Sequence, residues 1–335
     1  MDRDVANGAR FAVGSTDGHY ESWFSRANHP SRPLAWWQRY TVFSPAGRPR
    51  EAIGELWAIY FDGERDRVIA VKEEHPIACC TFASKGLHVH IGHARLDARS
   101  LEGRAESGGA AIAWSLEYSS PAPPLLLLPP ALYGATLPRA KALVGSPMAR
   151  FDGHLEVDGE RVAIDGWVGS QNHNWGSAHT DRYAWGQVAG FDDAPEVFVE
   201  LATARVRVGP LLTPPTTLVV MREGPRELRL SSPLVSLRAR GEHAPFVWTI
   251  ESHDGPLSVR ARIEGDARHF VALPYGNPPG GIKTCLNTKL ARCELEVRDA
   301  AGTRRYTTKH RAAFELLGDE PPPPGVRTLG TPRRV

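Results

Sequence analysis

Gly166-Trp167-Val168-Gly169-Ser170-Gln171-Asn172-His173-Asn174-Trp175-Gly176, followed six residues later by Tyr183-Ala184-Trp185-Gly186-Gln187, is the most informative stretch of this chain. It reads as a strand leading in, a polar turn rich in amides and glycine, and an aromatic strand leading out. Gln171, Asn172, His173 and Asn174 are consecutive hydrogen-bonding side chains at a strand end. Burying them without partners is costly, so they either lock the loop to its strands or face a ligand. Alternation along an extended backbone puts Tyr183, Trp185 and Gln187 on one strand face.

On both sides of this stretch helical periodicity is nearly absent, whereas short period-two segments bounded by Gly, Pro, Asp and Asn recur. The clearest run from Tyr20 to Phe24, Ala35 to Phe43, Gly54 to Phe61, Arg67 to Lys72, Gly86 to Ile91 and Ala111 to Tyr118. After a Pro-rich interval from Ser119 to Ala149 they resume. Arg150 to Val157 pairs naturally with Arg161 to Val168 across Asp158-Gly159-Glu160. Further strands follow to His310. The fold class is therefore all-β, with an N-terminal barrel and its Pro-rich linker over 14–149 and a C-terminal barrel over 150–317. The tail 318–335, with Pro321 to Pro324 and a basic end, is expected to be disordered.

Composition narrows the function. The 335 residues suit two domains of ordinary size. Forty Lys and Arg against 38 Asp and Glu leave a formal charge of +2, which favours neither nucleic acid nor an anionic surface. Four cysteines, two of them the adjacent Cys79 and Cys80, read as reduced thiols in a cytoplasmic protein. The opening Met1-Asp2-Arg3-Asp4 lacks a secretory pattern, and no run reaches the roughly 18 apolar residues of a membrane helix. Leu125 to Leu128 lies between proline pairs and reads as a buried linker; the alternative is an apolar lip making peripheral membrane contact. His88, His90 and His93 lack a convincing third metal ligand, so no metal site is expected. Glu21, Arg26, Arg39 and Glu55 fall within apolar strands and could form one buried charge network; structural pairing is the expected use, with recognition of a polar head the alternative. Lys283, Asn287 and Lys289 could edge a cavity mouth.

His173-Asn174-Trp175-Gly176 with the aromatic-x-Trp strand behind it resembles the central motif of a lipocalin-like family. That family includes the carotenoid hydratases (hydroxyneurosporene synthases), AttH-type proteins and, more distantly, tocopherol cyclases and some Diels–Alderases. Tyr20-Glu21-Ser22-Trp23-Phe24 is similar to the family's opening strand, and the likeness runs from about His19 to the strand near Glu294. The resemblance implies two tandem lipocalin-like (calycin) antiparallel barrels and an apolar cavity for an isoprenoid, polyene or lipid. Carotenoid hydratases carry an aromatic-x-acid pair near the place of Phe198-Val199-Glu200, with Asp where this chain has Glu200.

The residues themselves agree with a dry, aromatic site. Glu200 lies in the apolar run Val197 to Ala202, where a carboxyl tends to stay protonated. The alternative for it is an ion pair with Arg205 or Arg207. Catalytic candidates are Glu200 and His173; substrate-binding candidates are Gln171, Asn172, Asn174, Trp175, Tyr183, Trp185 and Gln187. The expected function is a hydratase or cyclase that protonates an alkene without any cofactor. Two alternatives remain open: an enzyme that catalyses by folding a flexible polyene, and a carrier of hydrophobic small molecules.

Overall fold

The period-two segments form strands throughout the computed structural model, which describes residues 1–330. In chain order these are β1 (His19–Asn28), β2 (Leu34–Ser44), β3 (Ile53–Asp62), β4 (Arg67–Pro76), β5 (Cys80–Phe82), β6 (His88–Ile91), β7 (Ala94–Asp97), β8 (Ser100–Ser107), β9 (Ala110–Ser119), β10 (Leu125–Leu126), β11 (Ala140–Val157) and β12 (Glu160–Gly176). The second half adds β13 (Arg182–Ala189), β14 (Val197–Arg205), β15 (Arg207–Val208), β16 (Leu211–Leu212), β17 (Thr216–Glu223), β18 (Arg226–Leu230), β19 (Arg240–Ala244), β20 (Val247–Asp254), β21 (Leu257–Glu264), β22 (Val271–Gly276), β23 (Ile282–Asp299), β24 (Gly302–Gly318) and β25 (Arg327–Thr328). Two short helices, α1 (Arg3–Asn7) and α2 (Pro233–Arg238), complete the regular structure. Among the described residues no helix is long and apolar enough to cross a membrane.

The strands make two large antiparallel sheets. The first runs β4-β3-β2-β1-β12-β11-β9-β8-β7-β6-β5, and the second β18-β17-β14-β13-β24-β23-β21-β20-β19. In each, the first strand pairs with the returning arm of a long hairpin, β1 with β12 and β13 with β24. The two orders correspond strand for strand from β4 to β7 and from β18 to β19, so the second half repeats the topology of the first. The first sheet curls until β4 meets β8, where the Lys72 N–H donates to Ser107 Oγ and the Glu106 N–H to the Glu73 carboxylate.

Each sheet buries alternate residues on its concave face. Trp23, Trp36, Tyr40, Trp114 and Phe151 fill the first, and Trp248, Phe270, Phe314 and Ile263 fill the second. The opposite faces pack on each other. Trp37, Trp57 and Phe61 of the first sheet meet Leu273, Tyr275 and Leu317 of the second.

Three expectations change. The boundary at Ala149/Arg150 falls inside β11, which continues through it in the first sheet. Bulges between Val144 and Ser146, Pro147 and Ala149, and Phe151 and Gly153 bend that strand without breaking it. Gly153, at φ 134°, is required there, because a Cβ would sit 2.2 Å from the Ser115 carbonyl oxygen. The polar turn of Ser170 to Asn174 is likewise strand, since β12 extends to Gly176 and pairs with β1 along that length. Finally, the tail up to residue 330 is ordered: β25 adds a parallel strand to β22, and Val326 and Leu329 are buried. Residues 331–335 lie outside the described residues.

The Leu125 to Leu128 segment therefore joins β9 to β11 within the first sheet. Leu125 and Leu127 are buried with Val144 of that sheet and with Ala189, Phe198 and Val220 of the second, which leaves no apolar lip there. Arg222 and Arg229 of the second sheet hold its carbonyls at Pro123, Pro124 and Leu126. Leu125→Ala is expected to cost about 2–5 kcal/mol in urea unfolding, as deletion of a buried leucine does. Limited proteolysis of the native protein should not release two stable halves by cutting between Pro121 and Lys141.

Candidate active site between the two sheets

Residues on the convex face of β1 and β2 and on the facing side of β13, β22 and β24 enclose a small cavity of about 40 Å³. Its apolar walls are Tyr20, Phe24 and Trp37 from the first sheet and Tyr183 and Tyr275 from the second, with His179 from the connecting loop. His179 stacks between Tyr20 and Tyr275, at 3.9 and 5.7 Å between ring centres. Burial, aided by the nearby Arg39 cation, pushes this imidazole down to about 3.

Polar groups enter the cavity at defined points. Glu315 on β24 is buried; its Oε1 accepts from Asn287 Nδ2 at 2.9 Å and Lys289 Nζ at 2.8 Å, and its Oε2 from the Tyr183 hydroxyl at 3.3 Å. Lys289 also donates to Asn287 Oδ1 at 2.6 Å, and burial lowers its ammonium pKa against the pull of Glu315. Arg39 enters from β2, stacked 4.2 Å over the Tyr275 ring. Asn174 Oδ1 is buried at the edge without a hydrogen-bond partner.

Beside the cavity lies a buried seam of hydrogen bonds. Arg26 Nε donates to Gln187 Oε1 at 2.8 Å, Arg26 Nη2 to the Gln187 carbonyl at 3.0 Å and Arg26 Nη1 to Asn28 Oδ1 at 2.7 Å. Ser170 Oγ also donates to Gln187 Oε1, while Gln187 Nε2 donates to Asn172 Oδ1 at 2.9 Å and to Glu200 Oε2 at 2.7 Å. Trp185 Nε1 completes the set, donating to Glu200 Oε1 at 2.7 Å. Burial pushes the Glu200 carboxyl up to about 7, against those two hydrogen bonds and the Arg26 charge.

His173 belongs to a different place. It lies directly opposite Trp23 across β1 and β12 and stacks on that indole at 4.8 Å, inside the first sheet. Its Nε2 is 2.8 Å from Glu21 Oε1, and its Nδ1 2.8 Å from the Ala6 carbonyl. Burial would raise the Glu21 carboxyl, but hydrogen bonds from His173 and His19 overcome it and hold it at about 2. The same carboxylate accepts the backbone N–H groups of Arg10 and Phe11, so the pair fastens the N-terminal segment over the end of the sheet. A larger cleft of about 450 Å³ at the other end is lined by charges that pair with one another, Arg32 with Glu64 and Arg65 with Glu160.

No family model matches the sequence, and no curated protein matches it. Solved structures do. An AttH-like protein from Nitrosomonas europaea is 10% identical, with a TM-score of 0.56 over 93% of this chain and 96% of the other. Kievitone hydratase from Nectria haematococca is 13% identical, with a TM-score of 0.54 over 95% and 97% of the two chains. CghA is 11% identical, with a TM-score of 0.56 over 95% and 97%. This chain has the AttH-like fold. The narrower likeness to carotenoid hydratases finds no support among these structures.

Within the AttH-like fold the sequence candidates divide between the two faces of β12. Asn174 and Tyr183 line the cavity; Asn172, Trp185, Gln187 and Glu200 form the adjoining seam. Gln171, His173 and Trp175 point the other way, so His173 and Glu200 do not meet. Glu200 makes no ion pair with the arginines suggested for it. Arg205 Nε donates to the Thr213 carbonyl, and Arg207 lies beside Asp181. Nor do Glu21, Arg26, Arg39 and Glu55 form one network: Glu21 takes His173, and Glu55 takes Lys72 at 2.8 Å.

Sequence reading missed Glu315, His179 and Tyr275 as site residues, and reached Arg39 only through the polar-head alternative for the buried charges. Of Lys283, Asn287 and Lys289, expected at a cavity mouth, the latter two bond to Glu315 while Lys283 pairs with Asp319, and the signal that could have found Glu315 is its position as a lone acid in the apolar run Ala312 to Leu317.

The Glu200 carboxyl gives a pH test. Between its ordinary value of 4.5 and about 7 the folded chain holds a proton that the unfolded chain has lost, so this group's contribution to stability falls as pH rises through that window. The stability difference between the native protein and Glu200→Gln should therefore shift in the variant's favour by on the order of 3 kcal/mol from about pH 4.5 to about pH 8. Urea unfolding at a series of pH values measures it; a constant difference would mean that Glu200 is ionised throughout.

Proposed function

We propose that the chain is an enzyme of hydratase or cyclase type that binds a small, mainly apolar molecule between its two sheets and delivers a proton to it. The observation that carries this reading is the Lys289–Glu315–Tyr183 chain of hydrogen bonds, which begins at a buried ammonium and ends at a hydroxyl on the cavity wall. At rest the Tyr183 hydroxyl donates to Glu315, and burial raises its pKa, so delivery needs it to turn to the bound molecule. As its proton leaves, the phenolate takes one from Glu315, which Lys289 has protonated, leaving a neutral lysine beside the carboxylate. Tyr20, Phe24 and Trp37 exclude water, and aromatic faces shelter positive charge that develops on an alkene. The name of kievitone hydratase, a protein of the same fold, accords with water addition.

Glu200 is a second proton source, one layer behind the wall. It reaches the cleft only past Trp185, whose indole meets the cavity residue Phe24 edge-on at 5.9 Å between ring centres. The aromatic walls suit an isoprenoid or polyene chemically, and the cavity, about 40 Å³ as it stands, would have to widen to admit one.

The test begins with solvent extraction of the purified protein and identification of the released small molecule by mass spectrometry. That molecule is then incubated with the protein in deuterated water. Uptake of deuterium, with or without addition of water, is expected. Glu315→Gln and Tyr183→Phe should slow it by roughly 10²- to 10⁴-fold while the ligand still binds. Glu200→Gln as the slower variant would move the role to that residue. A bound molecule that takes up no deuterium would make the chain a carrier.

A further inference from the structure

We propose that the cavity recognises its ligand through an acidic oxygen, the planar carboxylate, phenolate or ionised enol of an otherwise apolar molecule, bound by Arg39. This deepens the reading of the same cavity given above by naming the class of molecule that enters it.

Arg39 is 5% exposed, so its charge is largely out of water. Its hydrogen bonds account for only part of the guanidinium: Nε donates to Thr41 Oγ1 at 3.1 Å and Nη2 to Ser22 Oγ at 2.8 Å. Both acceptors are neutral hydroxyls, 2.9 Å from each other. Among the described residues no carboxylate forms an ion pair with it, and Nη1 has no protein acceptor.

Most other buried cations near this interface are satisfied; Arg311 is the exception, bonded only to the Ala189 and Phe191 carbonyls with its Nε unpartnered, but it does not line the cavity. Arg26 spends its donors on Gln187, Asn28 and backbone carbonyls. Lys289 pairs with Glu315, Lys72 with Glu55, and Lys283 with Asp319. Of these cations Arg39 is the one that both keeps a free donor and lines the cavity.

Fixing it is deliberate in a physical sense. Ser22 and Thr41 hold one side of the fork, and the Tyr275 ring holds its plane. Nη1, unlike the sealed and unpartnered Nε of Arg311, is not fully buried, so it is open to an anion in the cavity that Arg39 lines. The planar fork favours a flat anionic group over a tetrahedral one of the same charge. Glu315, the one carboxylate in the wall among the described residues, bonds to Lys289 and reaches Arg39 only through its field, which with that of Glu55 favours the charged guanidinium without taking up its donors. Glu315 and Tyr183 then face the body of a ligand whose acidic end is anchored at Arg39.

Benzoate and benzamide, which share a shape and differ in charge, test this by isothermal titration or tryptophan quenching. The native protein should bind benzoate about tenfold or more tightly than benzamide, as a hydrogen-bonded charge provides. Arg39→Gln should lose that preference while keeping a cooperative thermal transition. Equal affinities in the native protein, or a benzoate preference unchanged in Arg39→Gln, would overturn the proposal. Should that variant fail to fold, Arg39→Lys carries the test: it keeps the charge without the fork and must bind benzoate several-fold more weakly than the native protein. Binding is read here without turnover. A failure of proton delivery in deuterated water thus leaves benzoate selectivity standing, and a failure of selectivity leaves the proton chemistry standing.

Discussion

The guanidinium of Arg26 is the fixed point of this molecule. It is buried where the two sheets meet, a position tolerable for a cation only if its N–H groups find oxygen. Gln187 supplies a side-chain and a backbone acceptor, Asn28 another, and the Arg311 carbonyl a further one. Asn28 in turn donates to the carbonyls of Lys289 and His310. These bonds run from β1 to β13, β23 and β24, so they set how the two sheets meet. Tyr20 and Phe24 share the face of Arg26 on β1, and Arg39 and Trp37 share it on β2. Once the seam is formed, the walls of the cavity follow from register.

Register also explains why so much depends on single positions in β12. Asn172 faces Gln187 and the seam, and His173, its neighbour, faces Trp23 and the inside of the first sheet. A slip of one residue would exchange them, placing an imidazole in the seam and an amide against Glu21. The two polar systems are thus kept apart by the thickness of a sheet. One fastens the N-terminal segment through Glu21; the other joins the sheets. Loss of either affects stability through different parts of the chain.

Much of this was legible in the sequence. Alternation identified most strands and the all-β class, and the concentration of amides and aromatics between Gly166 and Gln187 pointed to a stretch that does touch the cavity. Of the apolar Leu125 to Leu128 segment, expected to be buried, Leu125 and Leu127 are buried and Leu126 and Leu128 half-buried. What failed has physical causes. Bulges around Met148 and Gly153 look in sequence like the end of a linker, yet the backbone ladder passes through them. Four polar residues in a row look like a turn unless a second sheet waits to accept alternate members. Arg39, His179, Tyr275 and Glu315 come from separate elements, and no spacing rule in one dimension brings them together.

The character of the cavity weighs on what kind of protein this is. A carrier of hydrocarbon needs an apolar lining and few orienting groups. Here buried cations, a buried carboxylate and a hydroxyl are arranged at one end of an aromatic space, and each is costly to bury unless something is gained from it. Lys289 and Glu315 satisfy each other, which stability alone could account for. The Tyr183 hydroxyl on Glu315 extends that pair to the cavity surface, and stability does not require this extension, since a hydroxyl there could meet water instead. Arg39, held flat on Tyr275 with donors to spare, is harder still to explain as packing. Stability alone would favour an apolar side chain of similar volume at such a site. The retained polarity of Arg39, Glu315 and Tyr183 lies on the cavity wall, an arrangement that accords with the proposed orientation and proton delivery.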